Sequence, residues 1–175
     1  KLNKEVDFNA GIAIVQPLKE GMINMINDQD GLYTLFMNGI KKGEKIQDIE
    51  LITNVVKGIN PYTDFADYLA LAKEPALQFI VSNTTEAGIE FIESDTPEMQ
   101  PPTSFPAKLT VLLYERFKHF NGDAAKGLTI IPCELIDYNS ETLKKIILQY
   151  VDLWKLEDAF KTWVSDACTY HSTLV

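Results

Sequence analysis

A short apolar run that ends in polar residues decides how this chain folds: Leu77-Gln78-Phe79-Ile80-Val81-Ser82-Asn83-Thr84-Thr85-Glu86. The apolar part, Leu77 to Val81, is typical of a strand buried in a parallel sheet. The same pattern occurs at Ile12 to Val15 and at Leu128 to Ile131, where the second run stops at Pro132-Cys133-Glu134. Each run therefore predicts a buried strand with polar residues after its carboxyl end.

Segments with helical periodicity separate these strands. The predicted helices begin at Asn60-Pro61, near Leu109, at Ser140 as a cap and near Leu156. A hairpin is predicted from two strands, Leu32 to Met37 and Ile46 to Thr53, which are joined between Asn38-Gly39 and Gly43. Alternation of apolar strands with helices indicates a parallel sheet that is covered on both faces. We therefore expect one doubly wound α/β domain, with a mostly parallel sheet and flanking helices.

The composition supports one globular domain and excludes several classes of protein. The chain has 175 residues, of which 46% are hydrophobic, and 16 Lys and Arg against 25 Asp and Glu make the net charge −9. This content of apolar residues argues against a disordered chain, the short apolar runs argue against a membrane protein, and the negative charge argues against a nucleic-acid partner. With only two cysteines and no signal peptide visible, we expect a cytoplasmic protein.

The residues after the strand at 77–81 are the first candidate site. Asn83, Thr84, Thr85 and Glu86 bring an amide, two hydroxyls and a carboxylate to a strand end, where open α/β sheets bind their ligands. These groups suit hydrogen bonding to a ribose or a polyol. They are equally typical of turn and helix-cap residues that satisfy backbone amides.

Cys133 and Glu134 form the second candidate site. A catalytic thiol needs a nearby base, but neither of the two histidines, His119 and His171, stands at a predicted strand end, so a buried, inert Cys133 is favoured. Glu86 and Glu134 could form the acid and base pair of a hydrolase. Cys168 and His171 supply only two ligands, so no metal site is predicted.

The fingerprints of phosphate binding are absent from the chain. No two glycines stand in the G-x-G spacing of dinucleotide-binding loops. The gap from Gly122 to Gly127 matches a P-loop, but Leu128 stands where a lysine is needed. We therefore interpret that segment as a turn.

Five blocks, in this order, resemble the mannitol dehydrogenase family, in its sugar-acid branch of altronate oxidoreductases (tagaturonate reductases). They are Gln29-Asp30-Gly31-Leu32-Tyr33-Thr34, the block from Phe79 to Ile89, Ser104-Phe105-Pro106-Ala107-Lys108-Leu109-Thr110, the block from Ile131 to Asn139, and Ser172-Thr173-Leu174-Val175. The resemblance spans essentially the whole chain.

The resemblance implies an NAD-dependent oxidoreductase that interconverts D-altronate and D-tagaturonate without a catalytic metal. Residues 1–175 would be most of the amino-terminal, Rossmann-like NAD-binding domain. The family's first strand and glycine-rich loop would lie ahead of Lys1, and the helical catalytic domain, with a K-x4-N-x2-H motif, would lie beyond Val175. We therefore expect no catalytic residues in this chain and no activity from it alone.

The resemblance also implies roles for the two candidate sites. It places Asn83, Thr84, Thr85 and Glu86 beside the nicotinamide half of NAD, and it places Cys133 and Glu134 toward the substrate, a small sugar acid. Leu135 stands where the polyol-oxidising branch has an asparagine, which fits the sugar-acid branch. The segment after the strand at 12–15, Gln16-Pro17-Leu18-Lys19-Glu20, offers no Asp at the strand end, so the choice of NAD over NADP rests on the resemblance. The alternative is a non-catalytic α/β module that binds a sugar acid or a nucleotide.

Overall fold

The computed structural model describes residues 9–174, apart from the side chain of Glu86. The chain divides into two compact units, Lys1–Asp64 and Phe65–Val175. The sequence predicts one mostly parallel sheet. In the described residues, the strands instead form three separate sheets, two sheets of two strands in the first unit and one sheet of three strands in the second.

The first unit is built on a pair of parallel strands and one short helix. Strand β1 (Ile12–Val15) pairs with β4 (Val55–Ile59), and helix α1 (Ile23–Asp28) lies between them in sequence. The Asn27 side chain donates to the Gly58 carbonyl at 2.9 Å and accepts from the Gly58 amide at 2.8 Å, which joins α1 to β4. A Cβ at Gly58 would lie only 2.6 Å from Ile23, so this close approach requires glycine.

Strands β2 (Tyr33–Lys41) and β3 (Glu44–Ile52) form the predicted antiparallel hairpin, but its turn differs from the prediction. The strands continue through Asn38 and Gly39, and the turn is Lys42-Gly43, where both residues have positive φ, 54° and 85°. A two-residue turn in which both residues have positive φ matches the right-handed twist of the flanking strands. Asn38 does not lie in the turn but pairs with Gln47 of the opposite strand.

The second unit carries a parallel three-stranded sheet in the order β5-β6-β7, with helices before and between the strands. Its elements are α2 (Phe65–Ala70), β5 (Phe79–Ser82), α3 (Phe105–His119), β6 (Thr129–Pro132), α4 (Asn139–Leu153), α5 (Asp158–Asp166) and β7 (Thr169–Tyr170), with short 3-10 turns at Leu71–Lys73, Glu86–Gly88 and Ala124–Lys126. The parallel pairing of β5 and β6 confirms the Rossmann-like α/β class that the sequence predicted.

The core of the second unit lies between the sheet and its three longer helices. Ile130 of the central strand is completely buried, as are Leu113 of α3, Ile147 of α4 and Phe160 of α5. Arg116 is also buried, and its guanidinium donates to the carbonyls of Ala72, Glu74, Leu77 and Lys126 at 2.7–3.1 Å. These four bonds hold the connections that lead into β5 and β6.

The proline-rich connector before α3 is ordered by a buried polar network. The Asp95 carboxylate accepts from the backbone amides of Thr103 at 2.6 Å and Ser104 at 2.9 Å, and the Tyr150 hydroxyl lies 3.3 Å from it. Ser104 then caps α3 by accepting from the Ala107 amide at 3.2 Å. These bonds anchor the connector, residues 95–104, to α3 and α4.

Two predicted helix starts were wrong. Asn60 accepts from the Tyr62 amide in a turn, and the helix begins later, at Phe65. The residue before α4 is Tyr138, with a left-handed φ of 52°, so Ser140 lies inside the first turn instead of capping it. Strands β4 and β7 and helix α1 were not predicted, because each is only two to six residues long and lacks a clear period.

Candidate functional site

The candidate site is the edge of the second unit where β5 and β6 end side by side. Ser82 is in register with Pro132, and the Cys133 amide donates to the Ser82 carbonyl at 2.7 Å. The two polar segments that the sequence singled out, 83–86 and 133–134, therefore leave the sheet at the same edge. Ligands of open α/β sheets bind at this position, outside the carboxyl ends of the strands.

Glu134 turns inward at this edge and is only 1% exposed. One carboxylate oxygen accepts from the Thr84 amide at 3.1 Å and from the Thr84 hydroxyl at 2.9 Å, and the other accepts from the Ser82 hydroxyl at 3.2 Å. These three donors satisfy the buried carboxylate, as a buried charge requires. Glu134 thus joins the end of β6 to the loop that follows β5.

The loop after β5 presents some of its polar groups and buries others. The side chains of Asn83 and Thr85 are exposed, whereas Thr84 is half-buried between Glu134 and Gly88. A Cβ at Gly88 would clash with the Thr84 side chain, so glycine is needed where the 3-10 turn passes Thr84. The Glu86 side chain, the fourth group of the predicted cofactor site, lies outside the described part of the chain.

The loop after β6 presents an apolar surface beside these groups. Cys133 is half-buried, and its thiol lies 3.8 Å from the Ile131 carbonyl. Leu135 is 60% exposed and Tyr138 is 75% exposed. Because Tyr138 takes a left-handed conformation that costs a bulky residue about 1–2 kcal/mol, this loop holds its aromatic ring outward at a cost in stability.

Sequence reasoning missed a second polar group at this edge, which is built on the buried Asn139. Its side-chain amide donates to the carbonyls of Pro132 at 3.0 Å and Glu134 at 3.2 Å, and to the Thr173 hydroxyl at 3.1 Å. The Ser140 and Ser172 hydroxyls lie 2.8 Å apart, and both donate to Glu141. The pKa of Glu141 lies below its usual value, mainly because the Ser172 hydroxyl donates to its carboxylate and also because the Ser140 hydroxyl does. The sequence carried no signal for this group, because the burial of Asn139 depends on the packed structure.

The end of β1, in the first unit, is closed by Gln16. Its side chain donates to the carbonyls of Leu18 at 2.7 Å and Lys19 at 3.1 Å and accepts from the Ile23 amide at 3.3 Å. The hydrogen bonds of the Gln16 side chain therefore fix the loop that leads into α1. The strand end offers this buried amide in place of an acidic residue.

In the described residues, a metal site, a membrane span and a hydrolase acid and base pair find no support. Among residues 9–174, no cluster of three or more His, Cys, Asp or Glu side chains could hold a metal ion. In the same range, no helix is long and apolar enough to cross a membrane. Because both oxygens of Glu134 already accept hydrogen bonds from the protein, the structure gives the proposed acid and base pair with Glu86 no support.

The fold and the polar strand ends agree with the comparison to known families. The sequence profile of the mannitol dehydrogenase Rossmann domain matches residues 2–175. The chain belongs to the mannitol dehydrogenase family. This membership confirms the resemblance that the five sequence blocks predicted.

Several curated proteins are close in sequence to this chain. It is 47% identical to the altronate oxidoreductase of Bacteroides thetaiotaomicron over 174 residues, 49% identical to that of Klebsiella pneumoniae over 175 residues, and 46% identical to that of Bacillus subtilis over 175 residues. These alignments cover 99–100% of this chain but only 36% of each relative.

Two solved structures share the fold of this chain. Mannitol 2-dehydrogenase of Pseudomonas fluorescens, solved as a ternary complex with NAD and D-mannitol, superposes with a TM-score of 0.73 at 15% identity, covering 97% of this chain and 36% of that one. A substrate-free D-sorbitol dehydrogenase superposes with a TM-score of 0.71 at 18% identity, covering 91% of this chain and 35% of that one.

Proposed function

We propose that this chain is most of the cofactor domain of an NAD-dependent oxidoreductase that interconverts D-altronate and D-tagaturonate. One observation carries the proposal: the chain is 46–49% identical, from end to end, to proteins named altronate oxidoreductase. The non-catalytic α/β module is the weaker alternative, because relatives this similar carry the name of an enzyme.

The organisation of the whole protein is part of the same proposal. Since the matched region is 36% of each relative, we propose that the remaining sequence supplies the glycine-rich phosphate loop and the helical domain with the catalytic lysine, asparagine and histidine. The general base then lies outside residues 1–175. This arrangement accounts for the missing G-x-G spacing and for the two histidines that lack a catalytic setting.

The edge of the β5-β6-β7 sheet fits the nicotinamide half of NAD. The exposed amide of Asn83 and the exposed hydroxyl of Thr85 offer hydrogen bonds to a ribose, and Leu135 and Tyr138 offer an apolar surface for a flat ring. When bound, NAD supplies the hydride chemistry, accepting a hydride from the alcohol carbon of the substrate or returning it.

In the proposed mechanism, the residues of this chain bind the cofactor and the substrate and orient them. The cofactor side is formed by Asn83, Thr84, Thr85 and Glu86. Thr84 shapes the loop and does not itself bind NAD, because its hydroxyl already donates to Glu134. Cys133 and Glu134 form the substrate side, where the half-buried Cys133 contacts the sugar acid and Glu134 holds the strand end. We place the enzyme in cytoplasmic carbohydrate metabolism, with a sugar acid as its partner and neither a nucleic acid nor a membrane.

A turnover assay on the full-length protein tests the reaction. Purified enzyme is mixed with NAD and D-altronate, and NADH is followed by its absorbance, with D-mannitol and NADP as matched alternatives. We expect NADH from altronate, and at least a 10-fold lower kcat/KM with mannitol or with NADP, since each substitution removes or adds a charged group at the site. Binding of a sugar acid without any binding of dinucleotide would establish the non-catalytic module instead.

A pair of asparagine variants tests the cofactor side. Asn83→Ala in the full-length enzyme is expected to raise the KM for NAD by about 10-fold, the loss of a hydrogen bond worth about 1.4 kcal/mol, with little change in the KM for altronate. Asn38→Ala removes an amide from the hairpin, where Asn38 accepts from Gln47, and should change neither constant. Equal effects of the two variants would remove Asn83 from the proposed site.

A further inference from the structure

Where β5 and β6 end, the Glu134 side chain takes the place of a backbone carbonyl as the hydrogen-bond acceptor between the two strands. The last ladder contact is the Cys133 amide donating to the Ser82 carbonyl at 2.7 Å. Two residues farther along, the Thr84 amide donates to the Glu134 side chain at 3.1 Å instead of to a backbone carbonyl. The carboxylate therefore continues the connection between the two strands beyond the end of the sheet.

The bonds to Glu134 determine the course of the loop that carries the proposed cofactor groups. Thr84 is held twice, through its amide and its hydroxyl, and its side chain packs against Gly88 on the other side. Asn83 and Thr85, whose side chains are exposed, are the immediate neighbours of this fixed residue. Any displacement of Thr84 would move both of them.

We propose that Glu134 is a positioning residue, which fixes the 83–88 loop for the nicotinamide end of the cofactor and neither exchanges a proton with substrate nor contacts it. This inference rests on the proposed function, because it assigns that loop to NAD. It departs from a direct substrate contact for Glu134, since the side chain is 1% exposed and each of its oxygens already accepts from Ser82 or Thr84.

The geometry predicts that glutamine can take over this task. The oxygen of a glutamine side chain can accept both bonds from Thr84, and its NH₂ group can donate to the Ser82 hydroxyl, which accepts as well as donates. An acid or base at this position, in contrast, has no working amide substitute. Glu134→Gln therefore separates positioning from proton transfer.

Steady-state kinetics of the full-length enzyme, with NAD and altronate varied in turn, provide the first test. We expect Glu134→Gln to keep kcat and both KM values within about 3-fold, and Glu134→Ala to raise the KM for NAD by at least 10-fold while kcat falls less. Thr84→Val, which keeps the amide but loses the hydroxyl, should raise the KM for NAD by about 3-fold. Glu157→Ala is the matched control, because its carboxylate accepts a hydroxyl bond from Tyr114 away from the strand ends.

Two kinetic results would overturn the inference. One is a Glu134→Gln enzyme whose kcat is at least 100-fold reduced with an unchanged KM for NAD, which would make Glu134 an acid, a base or a charge required by the reaction. The other is a Glu134→Ala enzyme with wild-type constants. Should Glu134→Ala fail to fold, Thr84→Val and Glu134→Gln, which both keep an acceptor for the amide of residue 84, still decide the matter.

Hydrogen exchange at the Thr84 amide separates failure of this inference from failure of the proposed function. Protection of that amide should persist in Glu134→Gln and fall at least 10-fold in Glu134→Ala, whether or not the wild type turns over altronate. A wild type without NAD-dependent activity but with this exchange pattern would reject the function and keep the role of Glu134 in holding the loop. Unchanged protection in Glu134→Ala would reject the positioning role itself.

Discussion

Asn139 and Thr173 bind each other through reciprocal hydrogen bonds at the carboxyl edge of the β5-β6-β7 sheet. The Thr173 amide donates to the Asn139 side-chain oxygen at 3.3 Å, and the Asn139 side-chain NH₂ donates to the Thr173 hydroxyl at 3.1 Å. The same NH₂ group also reaches the Pro132 and Glu134 carbonyls. One buried amide therefore joins the end of β6, the start of α4 and the segment that follows β7.

Replacing Asn139 by aspartate tests this connection. The substitution keeps the oxygen that accepts from Thr173 but turns the NH₂ group, which faces carbonyl oxygens, into a buried negative charge. We expect the free energy of unfolding to fall by at least about 2 kcal/mol, measured by urea denaturation of the 175-residue chain.

The control for this prediction is Thr173→Val, which removes one hydroxyl and keeps the shape of the side chain. Because that hydroxyl donates to the Pro132 carbonyl at 2.7 Å, a loss of about 1 kcal/mol is expected. A stability of Asn139→Asp within about 0.5 kcal/mol of wild type would show that the amide donors of Asn139 contribute little.

A second prediction compares two β-branched side chains of the same sheet. Ile130 is completely buried in the central strand, whereas Val81 on β5 is 66% exposed. Ile130→Ala leaves a cavity and should lower the unfolding free energy by about 2–4 kcal/mol, while Val81→Ala should cost less than about 1 kcal/mol. Similar losses for the two variants would contradict the described packing of this sheet, and the same urea denaturation measures both.

The strands that give this domain its class were predictable because they are apolar and sharply bounded. Strand β1 has the predicted limits, Ile12–Val15, and β5 and β6 differ from their predicted runs by one or two residues. The meeting of Thr84 and Glu134 at one edge follows from parallel pairing. Family membership added the expected activity, which neither periodicity nor composition contains.

The orientation of the site residues was not predictable from the sequence. Cys133 and Glu134 are adjacent, and only the packed structure shows that Glu134 is buried while Cys133 is half-buried. Tyr138 precedes α4 in a left-handed conformation that bulky residues rarely adopt, so the pattern favoured Ser140 as the cap. The two-residue strand β7 depends on its pairing with β6 and has no periodicity to detect.

A third prediction concerns the reactivity of the two cysteines. Burial raises the pKa of the Cys168 thiol to about 11, so at pH 8 almost none of it is thiolate, the form that reacts with disulfide reagents. Cys133 is half-buried near the end of β6. In the folded chain, a titration with an aromatic disulfide reagent should therefore label Cys133 first, and Cys168 only on unfolding.

The variant Cys133→Ser isolates the slower thiol. We expect its labelling rate in the native state to be at least 10-fold below that of wild type, because Cys168 is 4% exposed. Rapid labelling of one thiol in Cys133→Ser would instead mean that Cys168 is accessible, and the described burial would be wrong.

The last prediction follows from the charge on Asp95. Burial works to raise the pKa of this carboxyl, but the hydrogen bonds from Ser104 and Thr103 outweigh burial and hold the pKa below its ordinary value. A pKa that is lower in the folded state than in the unfolded state contributes stability above the unfolded value, about 3.9, and this stability disappears as the pH falls through the folded value. The hydrogen bonds that Asp95 accepts from Thr103 and Ser104 should therefore stabilise the chain at neutral pH and not in strong acid.

Asp95→Asn measures that contribution, because asparagine keeps one acceptor and points an NH₂ group at the other backbone amide. At pH 7 we expect the variant to lose about 1–3 kcal/mol of unfolding free energy, since a hydrogen bond to a charged group is removed from a buried site. The difference from wild type should stay constant above about pH 5 and shrink below about pH 4, as the wild-type carboxyl becomes protonated. Urea denaturation at half-unit steps from pH 7 to pH 2.5 follows it, with Asp152→Asn, an exposed partner of Lys161, as the control. A gap that stays the same down to pH 2.5 would show that the charge on Asp95 does not stabilise the connector.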